Sequence, residues 1–153
     1  MNSDTEIKSE LYHQCQRVLE NRLKTVQNSI MEIQQSLQSE TKSSAGDKHE
    51  TGRAMLQLER EKAGNQLAEV LKIKEQFSKV NPEKTSNIIS LGSVVFTSEN
   101  NYFIAISAGK IKAGDTIFYA ISPNTPVGQI LLSKTIGNTI VFRALKFKIT
   151  NVI

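Results

Sequence analysis

Three observations predict an α+β chain in two parts, a long antiparallel α-helical coiled-coil hairpin followed by a small antiparallel sheet domain with one short helix. The first is a break in composition at Pro82. Residues 1–81 hold 12 Lys/Arg, 12 Asp/Glu, 9 Gln and 2 aromatics, whereas residues 82–153 hold 7, 3, 1 and 7. Val and Ile rise from 8 to 17 across the same point. Helix formers thus give way to the β-branched and aromatic residues that suit a pleated sheet. The second observation is a helical apolar period before the break. The third is an alternation of short β-rich runs with turn residues after it.

The helices come first. Leu19, Leu23, Val26, Ile30, Ile33 and Leu37 step by 4, 3, 4, 3 and 4, the spacing of a heptad seam. Tyr12 and Cys15 or Gln16 extend it towards the N-terminus. Small polar residues from Thr41 to Asp47 interrupt the pattern as a turn. A second stripe follows at Leu56, Ala63, Leu67, Val70 and Phe77, with Arg60 and Lys74 in the two missing seam positions. Two helices joined by a short turn pair antiparallel. At about 1.5 Å per residue each arm extends on the order of 45–50 Å. The expected division is a hairpin at 1–80, a polar, proline-bearing linker at 81–87 and a sheet domain at 88–153.

In the sheet domain, strands are expected near 89–97, 102–106, 116–121, 139–142 and 146–152. Glu99-Asn100-Asn101 and Ala113-Gly114-Asp115 supply turn chemistry. A short helix is expected between the third and fourth strands. Thr125 would be its N-cap and Pro126 its first residue, where a missing N–H costs nothing.

Composition excludes most self-contained catalysts. One Cys removes a disulfide framework and a Cys-based zinc cluster. His13 and Cys15 stand two apart on a helix and share no face. There is no Gly-rich phosphate loop, nucleophile elbow or metal-ligand histidine pair. No apolar run approaches the roughly 20 residues of a membrane span, and the first residues lack the apolar stretch of a secretory signal. A soluble cytoplasmic protein without a tightly bound cofactor is expected. The net charge of +4 lies wholly in the second part, which suits contact with an acidic protein surface or exposed RNA. An exposed seam leaves both monomer and dimer open.

The exception to this chemical poverty is the hairpin tip. Asp47 and Glu50 are three apart, so at a helix start both carboxylates project to one side. Two convergent carboxylates suit a hard cation such as Mg²⁺, as part of a site completed by a partner. The same spacing is a capping box, with Asp47 at the N-cap and Glu50 at N3. Spacing alone leaves both readings open.

A long hairpin with an acidic tip, a linker and a small sheet domain, in this order, resembles the Gre-type transcript cleavage factors (GreA/GreB). Two stretches carry the resemblance. Ser122-Pro123-Asn124-Thr125-Pro126-Val127-Gly128 through Leu132-Ser133-Lys134, then Gly137-Asn138, is similar to the family's Ser-x-x-Ser/Thr-Pro-Ile/Val-Gly/Ala, Leu-x-Gly-Lys and Gly-Asp/Asn. Gly46-Asp47-x-x-Glu50 matches its tip. The resemblance implies an FKBP-like sheet domain that docks on RNA polymerase, with Ser122, Pro123, Pro126 and Lys134 as binding residues. It further implies a hairpin that enters the polymerase secondary channel. There Asp47 and Glu50 would support a second Mg²⁺ shared with the polymerase and stimulate cleavage of backtracked RNA. The catalyst would be the polymerase, with nascent RNA or DNA within reach of the factor.

Two departures from the family pattern motivate other expectations. Thr51-Gly52-Arg53-Ala54 stands where the family has Asn-Ala-Glu-Tyr, and Ser133 stands in place of a glycine. A channel regulator that does not cleave is therefore the second reading. A coiled-coil adaptor without any catalytic part is a third. Prolyl isomerisation by the sheet domain is disfavoured, because that activity generally uses a tryptophan-lined pocket and the chain has no Trp.

Overall fold

A computed structural model describes residues 3–42 and 47–153, and of residues 41, 42 and 47–49 it describes the backbone alone. Two long helices, α1 (Asp4–Lys42) and α2 (Asp47–Phe77), precede strands β1 (Val94–Thr97), β2 (Tyr102–Ile104), β3 (Gly109–Ala113) and β4 (Thr116–Ile121). Helix α3 (Pro126–Leu131) and strands β5 (Thr139–Phe142) and β6 (Leu145–Val152) complete the chain. The class is α+β, as the composition break predicts. The chain forms two compact units, one of residues 19–74 and one of residues 1–18 with 75–153.

Helix α1 opens on a reciprocal cap. The Glu6 amide donates to Ser3 Oγ at 3.2 Å, and the Ser3 amide donates to Glu6 Oε2 at 3.1 Å. This capping box satisfies two N–H groups that no helical carbonyl reaches. Antiparallel pairing shows at both ends of the two helices. The Tyr12 and Phe77 rings stack at 4.8 Å, and the Glu40 carboxylate lies 3.8 Å from where a Cβ on Gly52 would sit. Within residues 19–74 the seam buries Leu19, Ile30, Ala63 and Val70. Arg60 is half-buried on the stripe, as its spacing predicts. Lys74 is exposed instead, and Ile73 takes the half-buried place beside Val70 and Phe77. A step of 3 rather than 4 keeps the apolar side chain inward, and the lysine turns to water.

The six strands form one sheet in the order β3-β4-β2-β1-β6-β5. Four of the five pairings are antiparallel, as expected; β2 and β4 run parallel. The parallel pair arises because the chain leaves β2 beside β4, where Ala105 N–H donates to Ile121 O, then crosses to the outer side of β4, where Ala108 N–H donates to Ala120 O just ahead of β3. Strand β3 was not among the expected strands. Its Gly-Lys-Ile-Lys-Ala sequence exposes Lys110 and Lys112 and buries only Ile111 and Ala113. Expected strand 89–97 starts later, at Val94, because Gly92 turns the chain at φ +93°. Ile89 is still buried, and bonds the segment after α3: its N–H donates to Lys134 O, and its carbonyl accepts the Ser133 N–H, both at 2.9 Å.

The alternation of the strands sorts the core onto two faces. One face carries Val95, Tyr102, Ile104, Ile140, Phe147, Ile149 and Val152, with Leu131 of α3 packed among them. On the other, Val94, Phe103 and Phe118 are wholly buried. Fully burying such side chains stabilises the fold by about 1.5–3 kcal/mol each. The first turns of α1 belong to the same unit, with Leu11 and Cys15 at 0 % exposure. Gln14 binds the outer edge of β3 with both ends of its amide. Its Nε2 donates to Lys112 O at 2.5 Å, and its Oε1 accepts from Lys112 N–H at 3.5 Å. An edge strand otherwise offers such groups to another chain.

Candidate functional site

The Ser122–Lys134 segment is a helix start built from its own side chains. Thr125 caps α3: its Oγ1 accepts the Gly128 N–H at 3.2 Å and donates to Ser122 O at 2.8 Å. Ser122 Oγ accepts the Asn124 N–H at 3.1 Å, and Ser122 O also receives the Thr125 N–H at 3.1 Å. Pro126 fills the first helical turn, as the sequence predicts. Gly128 is required by space. A Cβ there would meet Ser122 O at 2.4 Å and Thr125 Oγ1 at 2.8 Å.

These bonds gather three of the four residues for which the Gre-type resemblance implies polymerase contact. Ser122 and Pro123 are half-buried and Pro126 is exposed, all at the start of α3. Lys134 lies beyond the far end, where its N–H donates to Leu131 O at 3.1 Å and its carbonyl receives Ile89. Ser133, between them, holds φ +71°. That left-handed conformation favours glycine, the residue the Gre-type pattern has there.

At the other candidate site, α2 takes in Asp47 as its first residue and carries Glu50, exposed, one turn on. The Asp47 side chain, with Gly46, lies outside the described residues. Gly52 and Arg53 follow, both half-buried in the helix. Two carboxylates are hard oxygen donors that suit Mg²⁺ only as part of a larger ligand set. Among the described residues no three His, Cys, Asp or Glu side chains come together to hold a metal ion. None of the described helices is long and apolar enough to cross a membrane.

Two buried polar residues escaped the sequence reading. Lys8 and Ser93 are each 2 % exposed, and they are the buried polar or charged side chains among the described residues. Lys8 Nζ donates to Lys84 O at 2.5 Å, and burial lowers its pKa from the ordinary 10.5. The available signal was position. Lys8 precedes Leu11, Cys15 and Leu19 on one helical stripe, so a lysine occupies a seam place.

No protein-family model matches the chain. No curated protein matches it either. Among solved structures it is similar to one described as "Structure of the transcription factor Gfh1", at 18% identity over 99% of this chain and 99% of that chain, with a TM-score of 0.38.

Proposed function

We propose that this chain is an accessory factor of RNA polymerase, of the Gre-like kind, that enters the secondary channel with its helical hairpin and stimulates cleavage of backtracked transcripts. The observation that carries the reading is the Ser122–Lys134 segment. It is similar to the Gre-type pattern in sequence except at Ser133, and its capped helix start gives Ser122, Thr125, Pro126 and Gly128 a physical reason. The antiparallel arm ahead of it supports the reading. The part of α1 beyond the sheet-bearing unit, residues 19–42, extends about 36 Å at 1.5 Å per residue, a length that suits carrying a short tip into a channel.

In this reading the chain brings two carboxylates, Asp47 and Glu50, to a polymerase site that holds metal by its own acids. The Mg²⁺ so shared supplies positive charge to the attacking and leaving oxygens of phosphodiester hydrolysis. The sheet domain binds at the rim through the α3 start and Lys134. Its 6 basic residues against 2 acidic ones over 88–153 suit an acidic polymerase surface or RNA.

The test is a backtracked complex of a polymerase from the same host, with Mg²⁺, in which release of the RNA 3′ fragment is timed. Stimulation by the chain, lost in Asp47→Ala with Glu50→Ala while polymerase binding persists, is the expected result. Unchanged stimulation in the double variant would remove both residues from the role. One observation favours a second reading, a channel regulator that does not cleave: half-buried Arg53 stands where the family pattern has an acid. Binding to the polymerase with no stimulation by the unaltered chain would decide for it.

A further inference from the structure

A cavity of about 90 Å³ lies in the sheet-bearing unit, lined by Lys8, Lys79, Asn81, Lys84, Ser86, Ser90, Leu91 and Ser93. About 10–15 Å³ suffices for one water, so the space admits a small polyatomic ion. The lining residues include three lysines and no Asp or Glu. Both buried polar side chains among the described residues, Lys8 and Ser93, are in it.

The hydrogen bonds leave this lining rich in donors. Lys8 has three N–H groups, and the described residues offer one acceptor, the Lys84 carbonyl. Ser93 Oγ accepts the Ser90 N–H at 2.9 Å, and its own hydroxyl proton finds no acceptor among the described residues. Asn81 Oδ1 accepts the Glu83 N–H at 3.0 Å, which leaves the Asn81 NH₂ to donate. A buried ammonium with like charges for neighbours is costly unless an opposite charge joins it. Charge-assisted bonds from such groups to an oxyanion are the strong ones.

From this arrangement we infer that the cavity is a binding site for a phosphate group, held by Lys8 and Ser93 with Lys79, Lys84 and Asn81 around it. Its tetrahedral oxygens would take the unused Lys8 and Ser93 donors, and its charge would offset that of the lysines. The connection after α2 and the turn before β1 supply most of the lining, and α1 supplies Lys8. Phosphate would therefore tie the base of α1 to both. The inference is independent of the polymerase reading.

The full chain, ¹⁵N-labelled, is titrated with inorganic phosphate and separately with ribose 5-phosphate, against chloride at matched ionic strength. Saturable amide shifts confined to residues 79–93 and the first turns of α1 are expected with one or both phosphates and not with chloride. Shifts with inorganic phosphate alone assign the free ion, and shifts with both assign a phosphate group that tolerates an ester. Lys8→Met should weaken binding about tenfold or more, and Lys112→Met, on the exposed edge of β3, should leave it unchanged. Should Lys8→Met fail to fold, Lys79→Gln with Lys84→Gln, both at exposed positions, replaces it and should weaken binding likewise. No saturable shift with either phosphate, equal shifts with chloride, or full affinity in folded Lys8→Met or in the Lys79/Lys84 double variant would overturn the site.

Discussion

Along residues 19–74 the seam buries Leu19, Ile30, Ala63 and Val70, while Met31, Met55, Leu58 and Leu71 stand 46–66 % exposed. In the sheet-bearing unit Val94, Val95, Phe103, Ile104, Phe118, Leu131 and Ile149 have no exposure at all. A helix in a two-helix arm can bury one stripe. A sheet strand closed on both sides buries every residue, as Tyr102, Phe103 and Ile104 of β2 do. The arm is thus held by helix propensity and one thin seam, the sheet unit by a two-sided core. Under the proposed function, the first arrangement suits the part that enters the polymerase and the second suits the part that docks.

The sharpest way to break that comparison is to remove one apolar side chain from each region. Phe103→Ala, at 0 % exposure in the central part of the sheet, should cost about 3–5 kcal/mol in denaturant unfolding. Leu23→Ala, half-buried in the arm, should cost about 1 kcal/mol. Equal losses would mean that the arm has a core comparable to that of the sheet.

Gly128→Ala comes next. Propensity alone would favour alanine in α3 by about 1 kcal/mol. Against it stand the 2.4 Å approach to Ser122 O and the 2.8 Å approach to Thr125 Oγ1. Ser122 O cannot retreat without loosening the two bonds it accepts from Thr125. Overpacking of this kind costs about 1–3 kcal/mol, so after the propensity gain a net loss of about 1 kcal/mol is expected from thermal or denaturant unfolding. A stabilised Gly128→Ala would show that the α3 start is pliant.

The same contrast explains what could be read from the sequence. Strands β4 and β5 and the Thr125–Pro126 helix start stand where their local signals put them, because alternation, caps and proline act within a few residues. β3 was missed because an edge strand with two exposed lysines has little apolar alternation. The parallel β2–β4 pair and Gln14 on the β3 edge join distant residues, and no local pattern encodes such contacts. The candidate sites divide likewise. The Ser122–Lys134 segment was legible as one continuous motif. The lysine-lined cavity was not, since it joins residue 8 to residues 79–93.

The smallest expected effect bears on the departure from the Gre-type pattern at Ser133. With φ at +71°, serine pays the steric cost of a Cβ in the left-handed region, about 1–2 kcal/mol. Glycine removes that cost and loses about 0.5–1 kcal/mol through its freer unfolded chain. Ser133→Gly should therefore stabilise the sheet unit by about 0.5–1 kcal/mol, seen as a rise of a few degrees in the unfolding midpoint. The side chain is exposed, and the N–H bond to Ile89 O at 2.9 Å stays in place, so no contact is lost in exchange. Arg143→Gly is the matched control, with φ +57° in the β5–β6 turn. Its guanidinium lies 4.9 Å from the Phe142 ring centre, a cation–π contact of about 0.5–1 kcal/mol at an exposed site. The gain there should be smaller or absent. A larger gain at Arg143 than at Ser133 would mean that backbone strain does not govern these two turns, and that the serine sits after α3 at no cost to the fold.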